Sequence, residues 1–292
     1  MQSVRFSLAG LRFSLTSPRD DLPLRLPAEY APFASDSATV LPVGAAYHIS
    51  PGPGPQPNPV GPWLWQNEVW RMGHAPEDGL LIQIYDVKAS AWRTAAHVLG
   101  DFARGALFVR NGATPDSTLV PFHHPHDRVI LLGRLAFIGG GVVHASCVVA
   151  DGKAMLFVGP SGAGKTTIAR LWRDAGATIL NDERNIVRTA DPSPFAGSSP
   201  WHGEENQVSA VCAPLAAVFY LHKSEQNGIR EVPCADSVTR LFTSTFVPVY
   251  LRDGPRMILD AWARILDGVP GYELNFTPDR RAVMTCRKAL SL

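Results

Sequence analysis

The sequence predicts an α/β fold, α+β overall, in which a β-rich N-terminal region over residues 1–125 precedes a second domain over residues 126–292. Short segments that alternate apolar and polar residues dominate the first part, and this period of two is typical of half-buried strands. From residue 126 onward, longer apolar segments alternate with segments of helical period, which is typical of α/β architecture. A length of 292 residues, 46% of them hydrophobic, is sufficient for a buried core.

The N-terminal region is predicted to consist mainly of short strands. Residues 4–8 and 11–15 alternate around a Leu-Ala-Gly turn and predict a β-hairpin. Segments 63–72, 80–85 and 106–109 predict further strands, and residues 91–102 predict a helix among them. Residues 51–62 contain six prolines, so we expect an extended surface loop there. A polyproline ligand for an aromatic groove is the alternative.

The second domain is predicted to alternate strands and helices. A strand is expected to begin at Val129, after a loop in which His123, His124 and His126 could also bind a metal. Thr277 and Pro278 fit the cap and the first position of a last helix. The other predicted strands are 142–149, 154–158, 178–180 and 216–221, and the other predicted helices are 165–174, 236–246 and 256–266.

Net charge and composition do not favour nucleic acid or a membrane as a partner. Lys and Arg total 27 against 26 for Asp and Glu, a formal net charge of +1, which provides no net field for nucleic acid or an acidic membrane. The most apolar stretch, 129–138, contains Arg134 and is shorter than the roughly 18 residues of a membrane span. The four cysteines form no CxxC pair, and no secretory signal is recognisable. We therefore expect a cytoplasmic protein with reduced thiols.

A glycine-rich segment carries the strongest functional signal. The apolar segment 154–158 is followed by Gly159-Pro-Ser-Gly-Ala-Gly-Lys-Thr166 and a helical pattern, which is the Walker A motif in its required context of strand, loop and helix. Lys165 is expected to reach the β- and γ-phosphates of a nucleotide, and the Thr166 hydroxyl to bind Mg²⁺. The candidate nucleotide-binding residues are Gly159, Pro160, Ser161, Gly162, Ala163, Gly164, Lys165, Thr166 and Thr167.

A second candidate centre is acidic. The predicted strand 178–180 leads into Asn181-Asp-Glu-Arg184, only seventeen positions from Lys165 to Asp182. Carboxylates at a strand end beside a phosphate loop are placed where one can bind Mg²⁺ while another accepts a hydroxyl proton. A polar turn without a catalytic role is the alternative interpretation.

Several of these segments together resemble one family. Val143-His144-Ala-Ser146, Asp151-Gly-Lys153, the phosphate loop, Asn181-Asp-Glu-Arg184 and Pro200-Trp-His-Gly-Glu204 resemble the HPr kinase/phosphorylase-related proteins. The catalytic domain of that family is similar to the nucleotide-binding core of ATP-dependent phosphoenolpyruvate carboxykinase, and its members transfer phosphate to a serine. The resemblance covers mainly residues 129–221 and implies a P-loop kinase core as the catalytic domain.

The resemblance also implies roles for individual residues. His144 matches a histidine near the transferred phosphate, although a core histidine is an equal alternative. Asp182 matches the base that accepts the serine proton. Glu183 stands where the family has a second aspartate, and Glu204 resembles the acidic residue that completes the metal site. The sequence around Glu204 departs from the signature of the bifunctional enzymes, so reverse phosphorylase activity is not expected.

The resulting expectation is an ATP- and Mg²⁺-dependent kinase with Asp182, Lys165 and His144 in catalytic roles and Thr166, Glu183 and Glu204 at the metal. The expected acceptor is a seryl hydroxyl of a small protein or peptide, and a small metabolite is the alternative acceptor. A nucleotide-gated binding module without catalysis is the alternative from another class. A homo-oligomer is implied only by analogy with the family.

Overall fold

The chain folds into two compact units. The computed structural model describes residues 1–20, 23–35, 43–51, 59–76, 79–86, 91–109, 120–203 and 207–291. The first unit comprises Met1–Ser7 and Leu11–Phe137, and the second comprises Leu8–Gly10 and Ile138–Leu292. The sequence predicts a boundary at residue 126, whereas the division by internal contacts falls after Phe137.

An eight-stranded sheet forms most of the first unit. Its core contains Phe6 stacked on Phe13 at 5.1 Å between ring centroids, with Tyr30 and Phe122 packed against Phe6. The spatial order of the strands is β1-β2-β3-β8-β7-β6-β5-β4. These strands are β1 (Gln2–Leu8), β2 (Leu11–Ser17), β3 (Val43–Pro51), β4 (Trp63–Gln66), β5 (Trp70–His74), β6 (Leu80–Asp86), β7 (Ala91–Val98) and β8 (Arg104–Val109).

Several predictions for this unit are confirmed, and others are wrong. The hairpin is confirmed as β1 and β2, and the strands at 80–85 and 106–109 lie within β6 and β8. The predicted strand 63–72 is two strands, β4 and β5, joined by a turn in which Asn67 Oδ1 accepts from the N–H groups of Val69 and Trp70. Pro51 ends β3, and residues 52–58 of the proline-rich segment lie outside the described residues.

The predicted helix 91–102 is wrong, because this segment forms strand β7. Thr94, Ala96 and Val98 are buried while Ala95 and His97 are partly exposed, a period of two that fits the pairing of β7 with β6 and β8. Alanine raises helix propensity here, and the sheet contacts override that weak preference.

The predicted strand from Val129 is also wrong, because residues 126–137 form helix α1 (His126–Phe137). A continuous apolar run suits a buried helix as well as a buried strand, so its period cannot decide between them. Tyr30 Oη donates to Asp127 Oδ2 at 3.2 Å, a contact between α1 and another segment of the first unit. His126, a candidate metal ligand, is buried in α1, and burial together with His123 lowers its pKa to about 3.

The second unit contains another eight-stranded sheet with helices packed on it. The strand order is β10-β9-β12-β13-β14-β16-β15, β11 pairs with β9, and β10 also pairs with β14. The strands are β9 (Gly140–Ala150), β10 (Lys153–Val158), β11 (Thr178–Asn181), β12 (Arg184–Arg188), β13 (Phe195–Ser198), β14 (Cys212–Lys223), β15 (Gly228–Val232) and β16 (Gly271–Phe276). The helices are α2 (Lys165–Asp174), α3 (Cys234–Thr243), α4 (Gly254–Asp267) and α5 (Arg280–Leu290).

Aromatic side chains in the core of this unit hold its central strands and α2 together. Phe157 of β10 stacks on Phe219 of β14 at 5.2 Å, and the fully buried Trp172 brings α2 against the same face. Strands β10, β14 and β16 run parallel, so their carboxyl ends lie at one edge of the sheet. In parallel sheets, ligands bind outside the carboxyl ends of the strands, so this edge is the expected place for a ligand site.

Most element predictions for the second unit are confirmed. The strands at 142–149, 154–158, 178–180 and 216–221 lie within β9, β10, β11 and β14, helix 165–174 has the predicted bounds, and α3 and α4 differ only at their ends. The start of the last helix is wrong: Asp279, not Thr277, caps α5, because its Oδ1 accepts from Arg281 N at 2.8 Å. The mixture of extensive sheet and few helices agrees with the predicted mixed α/β class.

No helix within the described part of the chain is both long and apolar enough to cross a membrane.

Candidate functional site

The glycine-rich loop joins the end of β10 to the start of α2. Gly162 and Gly164 have φ values of +78° and +100°, which favour glycine. A Cβ at Gly164 would lie 2.7 Å from Phe276 Cζ, and one at Gly159 would lie 2.8 Å from Ala163 Cβ. Glycine is therefore favoured at 162 and 164 by the backbone conformation, and at 159 and 164 by close packing. The loop ends at the N-terminus of α2, whose first N–H groups are suited to an anion.

Lys165 is held inside the curl of the loop. Its Nζ donates to the backbone oxygens of Gly159 at 2.8 Å and Pro160 at 3.1 Å, and the residue is only 9% exposed. Burial lowers the pKa of Lys165, and the nearby Glu183 carboxylate opposes that shift. The ammonium group is thus positioned by the loop itself and faces the acidic segment.

The acidic segment is a turn between β11 and β12 that Asn181 organises. Asn181 Oδ1 accepts from the N–H groups of Glu183 at 2.8 Å and Arg184 at 3.0 Å. Its Nδ2 donates to Ser198 Oγ, Ser199 O and Trp201 O at 3.1–3.2 Å. Asn181 is completely buried, so it fixes the backbone that carries both carboxylates.

Asp182 and Glu183 have different surroundings. Asp182 is 6% exposed, and its Oδ1 accepts from Gly203 N at 3.2 Å. Ser146 Oγ of β9 donates to the Asp182 backbone oxygen at 2.9 Å, which ties the turn to the neighbouring strand. Glu183 is more exposed and pairs with Arg184 at 3.1 Å between Oε2 and Nη1. Asp182 is therefore the more firmly positioned of the two carboxylates.

His144 lies beside this acidic turn on β9. Its Nδ1 is 4.0 Å from Glu183 Oε1, and its backbone N donates to Ser244 O at 2.7 Å. Burial and the Lys165 charge lower the pKa of His144, Glu183 opposes this shift, and Arg184 lowers it further. The side chain is 37% exposed and faces a cleft, so the alternative of a core histidine does not hold.

These groups converge on a cleft of ≈ 730 Å³, which we call the phosphate cleft. From the loop and α2 it is lined by Ser161, Gly162, Gly164, Lys165, Thr166 and Thr167, and from the other elements by His144, Asp182, Glu183, Arg184, His202, Gly203 and Lys223. Two predicted loop residues, Gly159 and Pro160, line a separate cleft of ≈ 380 Å³. Ala163 lines neither and packs against Gly159. Glu204 lies outside the described residues.

Sequence reasoning assigned no role to Lys223, His202 or Gly203. Lys223 ends β14, a strand parallel to β10, so its place among strand ends is the signal that could have found it. His202 and Gly203 lie in the resembling segment, but their contact with Asp182 spans 21 residues of chain, which no local pattern reveals.

A second cleft, of ≈ 570 Å³, adjoins the phosphate cleft and shares Gly164, Thr167 and Lys223 with it. Its remaining lining is Ser224, Glu225, Phe276 and Pro278, from the segments that follow β14 and β16. We call it the nucleoside-sized cleft because its volume lies within the roughly 300–1,000 Å³ of small-molecule sites.

The donor groups of the phosphate cleft fit Mg²⁺. The Thr166 hydroxyl and the carboxylates of Asp182 and Glu183 line the same space, and Mg²⁺ prefers such oxygen ligands. Among the described residues, no three His, Cys, Asp or Glu side chains group closely enough to hold a metal alone. That is compatible with Mg²⁺, which is usually held by one or two carboxylates together with substrate phosphates.

Comparisons with known proteins give little further guidance. No protein-family model matches the chain, and no curated protein matches it. The solved structure of the Hpr(Ser) kinase/phosphatase from Coxiella burnetii is similar over 51% of this chain and 95% of that chain, with 12% sequence identity and a TM-score of 0.31. A similarity this distant transfers no activity to the chain, so the family resemblance in the sequence stays a prediction.

Proposed function

We propose that this chain is an ATP- and Mg²⁺-dependent kinase that transfers the γ-phosphate to a seryl hydroxyl of a small protein or peptide. The observation that carries the proposal is the convergence of Lys165 and Thr166 with Asp182 on one cleft. A glycine-rich loop that opens a helix provides anion-binding N–H groups, and a buried carboxylate facing it provides a base.

The loop and the N-terminus of α2 bind the triphosphate. Lys165 contacts the β- and γ-phosphates, and Thr166 and Glu183 hold Mg²⁺, with Glu204 as a further proposed ligand. Thr167 follows the metal-binding threonine and lines the nucleoside-sized cleft, so the nucleoside extends into that cleft towards Phe276 and Pro278. Bound Mg²⁺ supplies neutralisation of the phosphate charge.

Asp182 accepts the proton of the acceptor hydroxyl. The seryl oxygen forms a bond to the γ-phosphorus while the bond from that phosphorus to the β,γ-bridging oxygen breaks. ADP leaves with the electron pair of the broken bond, and the hydroxyl proton moves to the Asp182 carboxylate. The hydrogen bond from Gly203 N keeps that carboxylate in position, and Lys165 stabilises the transferring charge. His144 lines the same cleft and would lie near the transferred group.

The test is incubation of the full chain with γ-labelled ATP, Mg²⁺ and a lysate of its source, with labelled proteins, peptides and small molecules resolved separately. Wild type is expected to label a protein or peptide on serine, and Asp182→Asn to lose at least about 100-fold of that rate, the range of general-base catalysis. Asp174→Asn is the matched control, because Asp174 is an exposed carboxylate at the end of α2.

Three outcomes would contradict the proposal in different ways. Label confined to small molecules would favour a metabolite kinase, and full transfer by Asp182→Asn would mean that another group is the base. Absence of any labelled acceptor, with ATP still bound, would favour the nucleotide-gated binding module.

A further inference from the structure

A third cleft opens where the glycine-rich loop begins. Its volume is ≈ 380 Å³, and its walls come from Gly159 and Pro160 of the loop, Tyr220 and Leu221 of β14, and the end of α3 with Ser244. We call it the loop-entry cleft. It shares none of its lining residues with the phosphate cleft or the nucleoside-sized cleft.

The loop-entry cleft lies next to the groups that would act on the γ-phosphate. The backbone oxygens that accept from Lys165 Nζ belong to Gly159 and Pro160, and both residues line this cleft. Ser244, also in its lining, accepts through its backbone oxygen from His144 N at 2.7 Å. Lys165 and His144 line the phosphate cleft, so each of these hydrogen bonds joins a lining residue of one cleft to a lining residue of the other.

Arg240 at the rim of the loop-entry cleft shares its carboxylate partner, Glu273, with two other groups. Glu273 Oε2 is 3.2 Å from Arg240 Nη1, 3.0 Å from Arg230 Nη2 and 3.8 Å from His222 Nε2. One carboxylate therefore faces two guanidinium groups and a histidine. Arg240 and His222 line the cleft, and Arg230 does not. Among the described residues that line the cleft, none is Asp or Glu, so Arg240 is the permanently charged side chain there, and its partner Glu273 lies outside the lining.

The same cleft has apolar walls beneath this rim. Val158, Pro160 and Leu221 present apolar surface, and the Arg240 guanidinium carbon lies 5.4 Å from the ring centroid of Tyr220, which helps to hold Arg240 over the space. A volume near the lower end of the roughly 300–1,000 Å³ range of ligand sites suits a short extended segment rather than a large ring system.

We propose that the loop-entry cleft binds the acceptor, and that the acceptor is a seryl segment with an acidic side chain next to the serine, held by Arg240. The proposal rests on the proposed function and extends it to substrate choice. Its chemistry is the transfer already described, in which the seryl proton moves to Asp182 and ADP leaves. Arg240 takes no part in bond making; it determines which acceptor is bound.

The experiment compares two sets of serine peptides that differ only in their flanking residues, Asp and Glu in one set and Lys in the other. The rate of label transfer from γ-labelled ATP is measured with the full chain, with Arg240→Gln and with Arg230→Gln. Arg230 is the matched control, because it pairs with the same Glu273 oxygen but is 72% exposed and does not line the cleft.

Wild type is expected to prefer the acidic set by about tenfold or more in kcat/KM, the factor that one charge-assisted contact contributes. Arg240→Gln is expected to lose most of that preference through a higher KM with little change in kcat, and Arg230→Gln to keep it within about twofold. ATP affinity, measured with a fluorescent ATP analogue, is expected to be unchanged in both variants and shows that they are folded.

The outcomes separate this proposal from the proposed function. Equal use of both peptide sets, or an acidic preference that survives Arg240→Gln, would overturn the acceptor assignment while leaving the kinase intact. Loss of the preference in Arg230→Gln as well as in Arg240→Gln would mean that Glu273 and its surroundings, not the cleft, determine it. No label on any peptide, with ATP bound, would contradict the kinase itself.

Discussion

Gly203→Ala tests whether the position of the Asp182 carboxylate matters. A Cβ at Gly203 would lie 2.8 Å from Asp182 Oδ2 and 3.0 Å from Glu183 Cβ, whereas ordinary contact begins at 3.4 Å. The backbone of Gly203 does not require glycine, because its φ is not positive, so the substitution acts by contact. The flexible end of a short side chain can yield, and Asp182 is therefore expected to shift by roughly 0.5 Å.

A displacement of that size has a small effect on stability and a large one on transfer. A misplacement of about 1 Å can cost about 100-fold in rate, so we expect Gly203→Ala to reduce kcat by about 10- to 100-fold. ATP affinity is expected to stay within about threefold, because Gly203 contacts the acidic turn and not the glycine-rich loop. The free energy of unfolding is expected to fall by about 1 kcal/mol or less.

The assay is the rate of label transfer at saturating ATP, together with ATP affinity and urea unfolding. Gly228→Ala is the matched control, because a Cβ at Gly228 would meet no atom within 4 Å. Wild-type transfer by Gly203→Ala would contradict this prediction, since it would mean that Asp182 need not be held where the structure has it.

The remaining predictions concern the loop and the buried histidine. Lys165→Met is expected to weaken ATP binding by about 10- to 100-fold, whereas Lys153→Met, on the exposed start of β10, is expected to leave it unchanged. Gly164→Ala is expected to lower both ATP affinity and thermal stability, because φ is +100° and the new Cβ meets Phe276; equal stability would contradict this. Burial lowers the pKa of His126 to about 3, below its ordinary value of about 6.5, so between these pH values the unfolded chain binds more protons than the folded chain. The free energy of unfolding is therefore expected to fall by up to about 3 kcal/mol from pH 7 to 4.5, and His126→Gln to show a smaller fall in urea unfolding.

The sequence predicts those parts of the fold that local signals define. Helix 165–174 has its predicted bounds because glycines with special backbone angles precede it and its buried residues recur at helical spacing. The predicted helix 91–102 and the predicted strand from Val129 are wrong for two different reasons. The first is an alanine-containing segment that its neighbours draw into a sheet, and the second is an apolar run that suits either element when buried.

In the candidate site, too, only residues marked by local sequence signals could be predicted. Lys165, Asp182 and Glu183 could be predicted because a motif and a strand end mark them in the sequence. The contact between Gly203 and Asp182 could not, because it joins positions 21 residues apart through a folded turn. Asn181 belongs to the Asn181–Arg184 segment that the sequence singles out. The acceptors of its Nδ2 group lie at the end of β13 and just after it, and their positions depend on the tertiary fold.

The parallel strands explain why residues so far apart in sequence meet around one loop. Because β10, β14 and β16 end at the same edge, the segments that follow them meet there: the glycine-rich loop after β10, Lys223 at the end of β14 and Pro278 after β16. β14 also contributes Tyr220 and Leu221 to the loop-entry cleft, so one strand borders all three clefts. Substitutions along the end of β14 should therefore separate the steps of the proposed reaction, with Lys223 affecting ATP and the residues before it affecting the acceptor.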